Sequence, residues 1–410
     1  MKRLEIFVVS NGLIEDMMAC QIIKHLKQNI PTITIKALPL VGEGKAYIRE
    51  NVQVLGPCKN LPSEGLTHFG FKYLLKDIKA GLIKSLIEQV KILKNEGKKS
   101  DFIIVVGDIF LCALCGFFSG KKVIFASTAQ SVYIRKIDRI NLWLTKKFSI
   151  IVFPRDEKTH FYFEKFGIPT VYFGSLAMDC VEITGVDFGI PDGKKVIGLL
   201  PGRRKDAFEK FSLLLEIIDE VLKASKEKNV EFPVFIISLS PTLDIKEIKR
   251  KTEKLNWKFI EINGEKNKGI TGYIEKDSNK VIISDKFGDV INRANLIIGF
   301  SGVANEQAIG LGKPVITFPV KGNLYPWDFF KKLQRKLLGE YIFTLPFDKK
   351  LITEKIFFIL ENYSLIHEKV KKIGIERVGP KGAGEKIASY VKIHFIDPYN
   401  LTSSKIYIEK

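Results

Sequence analysis

The chain has 410 residues, enough for two domains that each bury a core of their own. Its 65 Lys and Arg against 46 Asp and Glu give a formal net charge of +19, which suits an anionic partner: a phosphorylated substrate, anionic lipid or nucleic acid. The aromatic-basic motifs of nucleic-acid readers are absent, no apolar run is long enough to span a bilayer, and five scattered cysteines fit a reduced cytosolic protein.

The first apolar run covers residues 4–9 and stops at Ser10-Asn11-Gly12. It is too short for a signal peptide and reads as a cytoplasmic first strand. Further strands are expected at 33–40, 102–106, 122–126, 150–153 and 170–173. Helical periodicity lies between them, clearest over 71–93, where Leu74, Leu75, Ile78, Leu82, Ile83, Leu86, Ile87 and Val90 share one face. Residues 179–194 carry Gly185, Gly189, Pro191, Asp192 and Gly193 and read as a turn-rich linker. The alternation then restarts, with strands at 196–200, 234–239, 280–284, 296–300 and 315–318 and helices at 207–225, 287–293 and 327–338. Two successive βα arrays predict an α/β protein of two Rossmann-like domains facing a central cleft.

The densest chemistry lies between Asn295 and Pro319. A strand ends at Ser301-Gly302, a helix carrying Asn305 and Glu306 follows, and Gly312-Lys313-Pro314 closes it before the next strand. Such a turn presents free N–H groups at a positive helix end, where a phosphate would sit. Glu306, one turn inside, is placed to accept hydrogen bonds from sugar hydroxyls of the same ligand. A carboxylate near a helix start also complements the dipole without any ligand; its neighbours Ser301, Gly302 and Asn305 favour the functional reading. Pro201-Gly202-Arg203-Arg204 follows the second array's first strand in the same manner, with glycine for close backbone approach and arginine to fork onto a diphosphate.

In the first array Val105-Val106-Gly107-Asp108 ends a buried strand. Read from the residues alone, Asp108 is an N-cap for the helix beginning near Ile109; a general base is the functional alternative. Ser10-Asn11-Gly12, with Glu15 and Asp16 behind it, is either a turn with a helix cap or a set of polar contacts for an acceptor. Cys112 and Cys115 sit among apolar neighbours and read as buried small hydrophobes rather than a redox pair. The five histidines have no ligand spacing, and neither Gly-x-Gly-Lys segment is a P-loop. Two basic amphipathic stretches stand out. Residues 71–94 read as a sheet-covering helix with a solvated face. Residues 131–147, with Tyr133, Arg135, Lys136, Arg139, Trp143, Lys146 and Lys147, fit that description and an anionic lipid surface equally well.

Taken in order, several segments resemble the lipid-A-disaccharide-synthase-related proteins among the GT-B glycosyltransferases. They are Ser10-Asn11-Gly12 with Glu15-Asp16, Val41–Tyr47, Leu61-Pro62-Ser63, Val106-Gly107-Asp108, Phe153-Pro154, Phe173-Gly174 with Asp179, residues 199–204, residues 299–319, Leu333-Gln334-Arg335 and Gly379–Ala383. The resemblance implies an inverting transfer of a sugar, N-acylated glucosamine in the related synthases, from a UDP-sugar to a lipid or lipid-linked acceptor. It implies an acceptor domain at 1–182, completed by a C-terminal helix at 385–400, and a nucleotide-sugar domain at 195–384. By that similarity Asp108 becomes the favoured general base and Asp16 joins it in the catalytic set. Glu306 holds the ribose; Gly202, Arg203, Arg204, Ser301, Gly302 and Asn305 surround the nucleotide; Ser10, Asn11 and Gly12 face the acceptor. No metal or other cofactor is implied, because helix ends and arginine stabilise the departing diphosphate. Leu13 and Ile14 replace the His-Gly usual in the related proteins, and Ser175 replaces a histidine, so the departures concentrate on the acceptor side. The alternatives are a UDP-N-acetylglucosamine 2-epimerase, which shares the fold, and a non-catalytic nucleotide-sugar or lipid-binding protein. The partners expected are thus a nucleotide-sugar donor and a lipid acceptor, with contact to an anionic inner membrane face and none to nucleic acid.

Overall fold

The computed structural model describes residues 4–57, 78, 81–203, 206–240, 243–262, 269–320 and 326–399. The chain divides into two compact units, Met1–Cys180 with Gly379–Lys410, and Val181–Val378. Residues 181–194, read above as linker, thus count with the second unit, and residues 379–384 with the first.

The first unit contains β1 (Glu5–Ser10), α1 (Leu13–Asn29), β2 (Thr34–Pro39), α2 (Lys45–Arg49), β3 (Gln53–Val54), α3 (Leu82–Lys99), β4 (Phe102–Gly107), α4 (Ile109–Ser119), β5 (Val123–Ser127), α5 (Arg139–Phe148), β6 (Ser149–Pro154), α6 (Glu157–Lys165) and α7 (Leu176–Asp179). Its six strands run parallel in the order β3-β2-β1-β4-β5-β6. The central strands are nearly uninterrupted Ile, Val and Phe because both faces of a parallel sheet are covered. On one face Phe7, Val9, Val105 and Phe125 pack with Leu93 of α3, Cys112 and Cys115 of α4 and Leu142 of α5. Both cysteines are free and buried, and burial pushes the Cys112 thiol up to about 12, as suits packing residues rather than a thiolate nucleophile.

The expected strand at 170–173 is no more than an isolated bridge from Thr170 to Val152; the segment lies outside the regular ladder. The expected helix over 131–147 forms only from Arg139, where Asp138 caps it by accepting from Asn141 N at 2.9 Å. The periodic stretch from 71 falls largely outside the described residues, and the helix described there is α3.

The second unit contains β7 (Val196–Leu200), α8 (Ala207–Lys228), β8 (Val234–Ser238), α9 (Ile245–Lys254), β9 (Lys258–Glu261), β10 (Ile270–Lys276), β11 (Asn279–Ser284), α10 (Phe287–Arg293), β12 (Leu296–Gly299), α11 (Gly302–Gly310), β13 (Val315–Thr317), α12 (Trp327–Leu338), β14 (Ile342–Thr344), α13 (Lys349–Glu361) and α14 (Tyr363–Arg377). The sheet order is β14-β13-β12-β7-β8-β11-β10-β9, parallel from β14 to β11, with β10 and β9 added antiparallel at the edge. Strands β3, β9, β10 and β14 escape a search for apolar runs because they are very short or mix polar residues into a half-buried pattern.

The segment before β7 has no regular structure but is fastened. Asp289 accepts from the backbone N–H of Thr184 at 2.9 Å and of Gly185 at 2.8 Å, and from the Thr184 hydroxyl at 2.9 Å. The preceding Gly288 lies flat against the backbone of Glu182, and a Cβ there would collide with the Glu182 carbonyl. Gly288→Ala is therefore expected to destabilise the second unit by about 3 kcal/mol, a fall in melting temperature of roughly 6–12 °C. Differential scanning calorimetry checks this; an unchanged transition would mean the loop moves aside at no cost.

After α14 the chain returns to the first unit, where α15 (Ala383–Val391) packs along α1. Gly384 sits against the Gln21 backbone, and Asp179 accepts from the N–H groups of Gly382 at 2.6 Å and Gly384 at 2.7 Å. That carboxylate satisfies orphan donors at the start of α15 and complements its dipole. Among the described residues no helix is long and apolar enough to cross a membrane.

Candidate functional site

Each sheet has the strand order in which the chain leaves its first strand in one direction and returns on its other side. The point of reversal opens a crevice beyond the carboxyl ends of two neighbouring strands, where ligands of such sheets bind. In the second unit those neighbours are β7 and β12, paired at Leu200 and Gly299. The two turns singled out in the sequence, Pro201-Gly202-Arg203 and Phe300-Ser301-Gly302, are therefore side by side. Arg204 lies outside the described residues.

Local chemistry explains both turns. Gly202 has φ +96°, a left-handed conformation glycine adopts without strain; the space a Cβ would take there is open, and Arg203 is exposed beside it. Ser301 caps α11 through its backbone position, with no side-chain cap bond, so the first N–H groups of α11 have no intrahelical acceptor. Asn305 N bonds back to Ser301 O at 3.0 Å as the first full helical turn closes. Asn305 is fully buried; its Nδ2 donates to Gln334 Oε1 at 3.2 Å, while its Oδ1 has no hydrogen-bond partner. Gly299 permits this approach, since a Cβ there would strike Asn305 Oδ1. Glu306 is buried one turn inside α11, and helical side chains as a class lean toward the N-terminus, the end that carries this turn.

Two contributors were not among the residues picked from sequence. Gln334 is buried in α12 and fixes Asn305. Lys210 of α8 is buried, paired with Asp206 at 2.7 Å, with its ammonium 5.6 Å from the centre of the Phe300 ring. Gln334 lies in a segment quoted for the resemblance, which was the available signal; a lysine's burial has no sequence signature, because lysines are ordinarily exposed.

The first unit repeats the arrangement with different chemistry. Neighbours β1 and β4 pair at Ser10 and Val106, bringing Ser10-Asn11-Gly12 beside Gly107-Asp108. A Cβ at Gly107 would collide with Asn11 Oδ1, so the two turns touch. Asp108 accepts from Leu111 N at 2.8 Å: it is the N-cap of α4 that the residues alone suggested, with one oxygen so engaged. Asp16 is buried beneath the turn. The Ser10 hydroxyl donates to Asp16 Oδ1 at 2.6 Å, and since that uses its only proton, the 2.6 Å contact to the buried Tyr47 must run from the Tyr47 hydroxyl to Ser10 Oγ. Asp16 Oδ2 has no hydrogen-bond partner, and burial pushes the Asp16 carboxyl up to about 7, opposed by Ser10 and reinforced by Glu15. Glu15 folds back over Gly12, at which a Cβ would meet its carboxylate. Burial raises its carboxyl above the ordinary range; the bond from its own backbone lowers it, the Asp108 charge raises it and Arg155 lowers it. Arg155, at the end of β6, donates to Thr128 O at 3.2 Å. Among the described residues no group of three or more His, Cys, Asp or Glu is arranged to hold a metal ion.

Two α/β units with parallel sheets of this order define a GT-B type fold. No protein-family model matches the sequence, and no curated protein matches it. Solved structures do match over nearly the whole chain. The Staphylococcus aureus MnaA structure with UDP is 15% identical, covers 96% of this chain and 97% of its own, and has a TM-score of 0.58. UDP-GlcNAc 2-epimerase from Neisseria meningitidis bound to UDP-GlcNAc is 19% identical, with 94% and 98% covered and a TM-score of 0.54. The spinosyn rhamnosyltransferase SpnG complexed with thymidine diphosphate is 11% identical, with 95% and 99% covered and a TM-score of 0.54. At these identities the likeness is one of fold.

Proposed function

We propose that this protein is a UDP-sugar enzyme that holds its nucleotide at the reversal point of the second sheet. The observation that carries this reading is the adjacency of the turns at Gly202 and Ser301, with Glu306 buried one turn behind the second. The N–H groups of Gly302 and its successors receive the diphosphate, Arg203 and Arg204 neutralise it, and Asn305, held by Gln334, shapes the helix end. Glu306 accepts from the ribose hydroxyls. Helix ends and arginine suffice for a departing diphosphate, so no metal or cofactor enters the scheme.

Two reactions fit this site. Epimerisation at C2 of UDP-N-acetylglucosamine is supported by the UDP-GlcNAc 2-epimerase of Neisseria meningitidis, which has the same fold, and by the carboxylates of Glu15, Asp16 and Asp108 beyond β1 and β4, groups of a kind that moves a proton on and off a sugar carbon. Inverting transfer to a lipid-linked acceptor is supported by the ordered motifs quoted above, with Asp108 taking the acceptor's proton and Ser10, Asn11 and Gly12 contacting the acceptor. The first has the better structural support. Incubating the protein with UDP-N-acetylglucosamine, with and without a lipid-linked sugar phosphate, separates them. UDP-N-acetylmannosamine formed without acceptor, or free N-acetylmannosamine and UDP where water also cleaves the anomeric bond, is expected for the first; UDP release that requires the acceptor identifies the second. Intact donor in both tubes would remove both reactions.

A further inference from the structure

Helices α4 and α5 lie side by side over one face of the first sheet, joined where Gly116 is pressed against the Phe148 ring. Their inner residues fill the core, yet their outer faces are not polar. Phe110 and Phe117, two turns apart on α4, are 65% and 69% exposed; Ile140 and Trp143, one turn apart on α5, are 71% and 56% exposed. Single exposed apolar residues are ordinary, but four large ones paired on adjacent helices make a patch.

The charge around this patch is one-sided. Between residues 109 and 148 there are seven basic residues, Lys121, Lys122, Arg135, Lys136, Arg139, Lys146 and Lys147, and a single acid, Asp138. Arg135, Lys136, Arg139, Lys146 and Lys147 are exposed, and the Lys147 ammonium lies 4.7 Å from the centre of the Trp143 ring. A second copy of the chain pairing through this face would bring like charges together. A nucleic acid would leave the aliphatic and phenyl groups in water. A surface with anionic headgroups over hydrocarbon satisfies both halves of the patch.

We infer that the α4–α5 face docks the protein on anionic membranes, with Phe110, Phe117, Ile140 and Trp143 inserting at the interface and the surrounding lysines and arginines resting on the headgroups. This goes beyond the nucleotide reading, and its test needs no nucleotide. It also gives the basic stretch at 131–147 a narrower form than the sequence offered: residues 139–148 form the helix, and α4 supplies half of the apolar surface.

Flotation of the full chain with phosphatidylcholine vesicles, alone or with phosphatidylglycerol added, reads the inference directly. Wild type is expected to float with the anionic vesicles, to bind the neutral ones weakly, and to release as salt rises. Trp143 emission should shift to the blue on binding, a change absent in Trp143→Ser. The double variant Phe117→Ser/Trp143→Ser, both substitutions at exposed sites, is expected to lose at least tenfold in partitioning. Lys136→Glu and Arg139→Glu should each cost about fivefold or more on anionic vesicles only. UDP binding measured in parallel should be unchanged in every variant, which separates this outcome from a failure of the nucleotide reading. Partitioning unaffected by these changes would overturn the inference. So would a dimer in solution that the Phe117→Ser/Trp143→Ser variant dissociates, or duplex DNA competing with vesicles at moderate salt.

Discussion

Glu306→Gln is expected to weaken UDP binding by roughly 30- to 150-fold, corresponding to about 2–3 kcal/mol for a charged hydrogen-bond partner removed from a buried site. The expectation follows from position. Glu306 is the fifth residue of α11, buried, on a helix whose side chains lean toward the turn proposed to hold the diphosphate. Ribose hydroxyls need acceptors, and a carboxylate accepts without having to donate, whereas the glutamine isostere presents an amide N–H where a lone pair is required. Calorimetric titration of wild type and variant with UDP, ADP and GDP tests this, with the melting temperature of each as control. A buried carboxylate serving the fold alone would lower the melting temperature and leave Kd unchanged, and that pattern would remove Glu306 from the nucleotide site. Absence of binding by wild type to any of the three nucleotides would instead remove the nucleotide reading as a whole.

Much of this was legible in the sequence, and for a physical reason. The strands that flank both reversal points are buried on two sides, so β1, β4, β7 and β12 appear as apolar runs with abrupt ends, and the turns beyond them can be read off directly. Less legible was everything that depends on a partner distant in sequence. Asn305 and Gln334 are 29 residues apart, and nothing local in either says that they meet. The loop before β7 carries the composition of a linker, yet Asp289, more than a hundred residues later, holds it in place. Asp108 shows a third limit: the residues alone favoured a cap, the resemblance favoured a base, and the bond to Leu111 N establishes the cap while its other oxygen keeps the proposed role open to test.

Asp16 carries a pronounced expected pH dependence. Its carboxyl is nearly inaccessible, only Oδ1 is hydrogen-bonded, and burial pushes it up to about 7 from an ordinary value of 3.8. A carboxyl raised in the folded state binds its proton more tightly there than in the unfolded chain, so between about pH 4 and pH 7 the folded state holds more protons. Stability then falls as pH rises through that window, and it flattens above pH 7 and below pH 4. A shift of this size corresponds to about 4 kcal/mol. Asp16→Asn, which cannot ionise, is expected to flatten the dependence and to be more stable than wild type at pH 8, although its amide cannot match both roles of the acid. Denaturant unfolding of wild type and variant at pH 4.5, 6 and 8 decides the matter, the first unit being read from its own transition. Parallel pH profiles in the two proteins would mean that Asp16 stays ionised in the fold, compensated by Ser10 and the start of α1. The same titration bears on function, because Ser10 donates to Asp16 while Tyr47 donates to Ser10. Protonating the buried acid weakens its hold on the Ser10 hydroxyl at the point where the turns after β1 and β4 meet. If the proposed acceptor contacts at Ser10 are correct, acceptor-dependent turnover should change with pH in wild type and lose that component in Asp16→Asn.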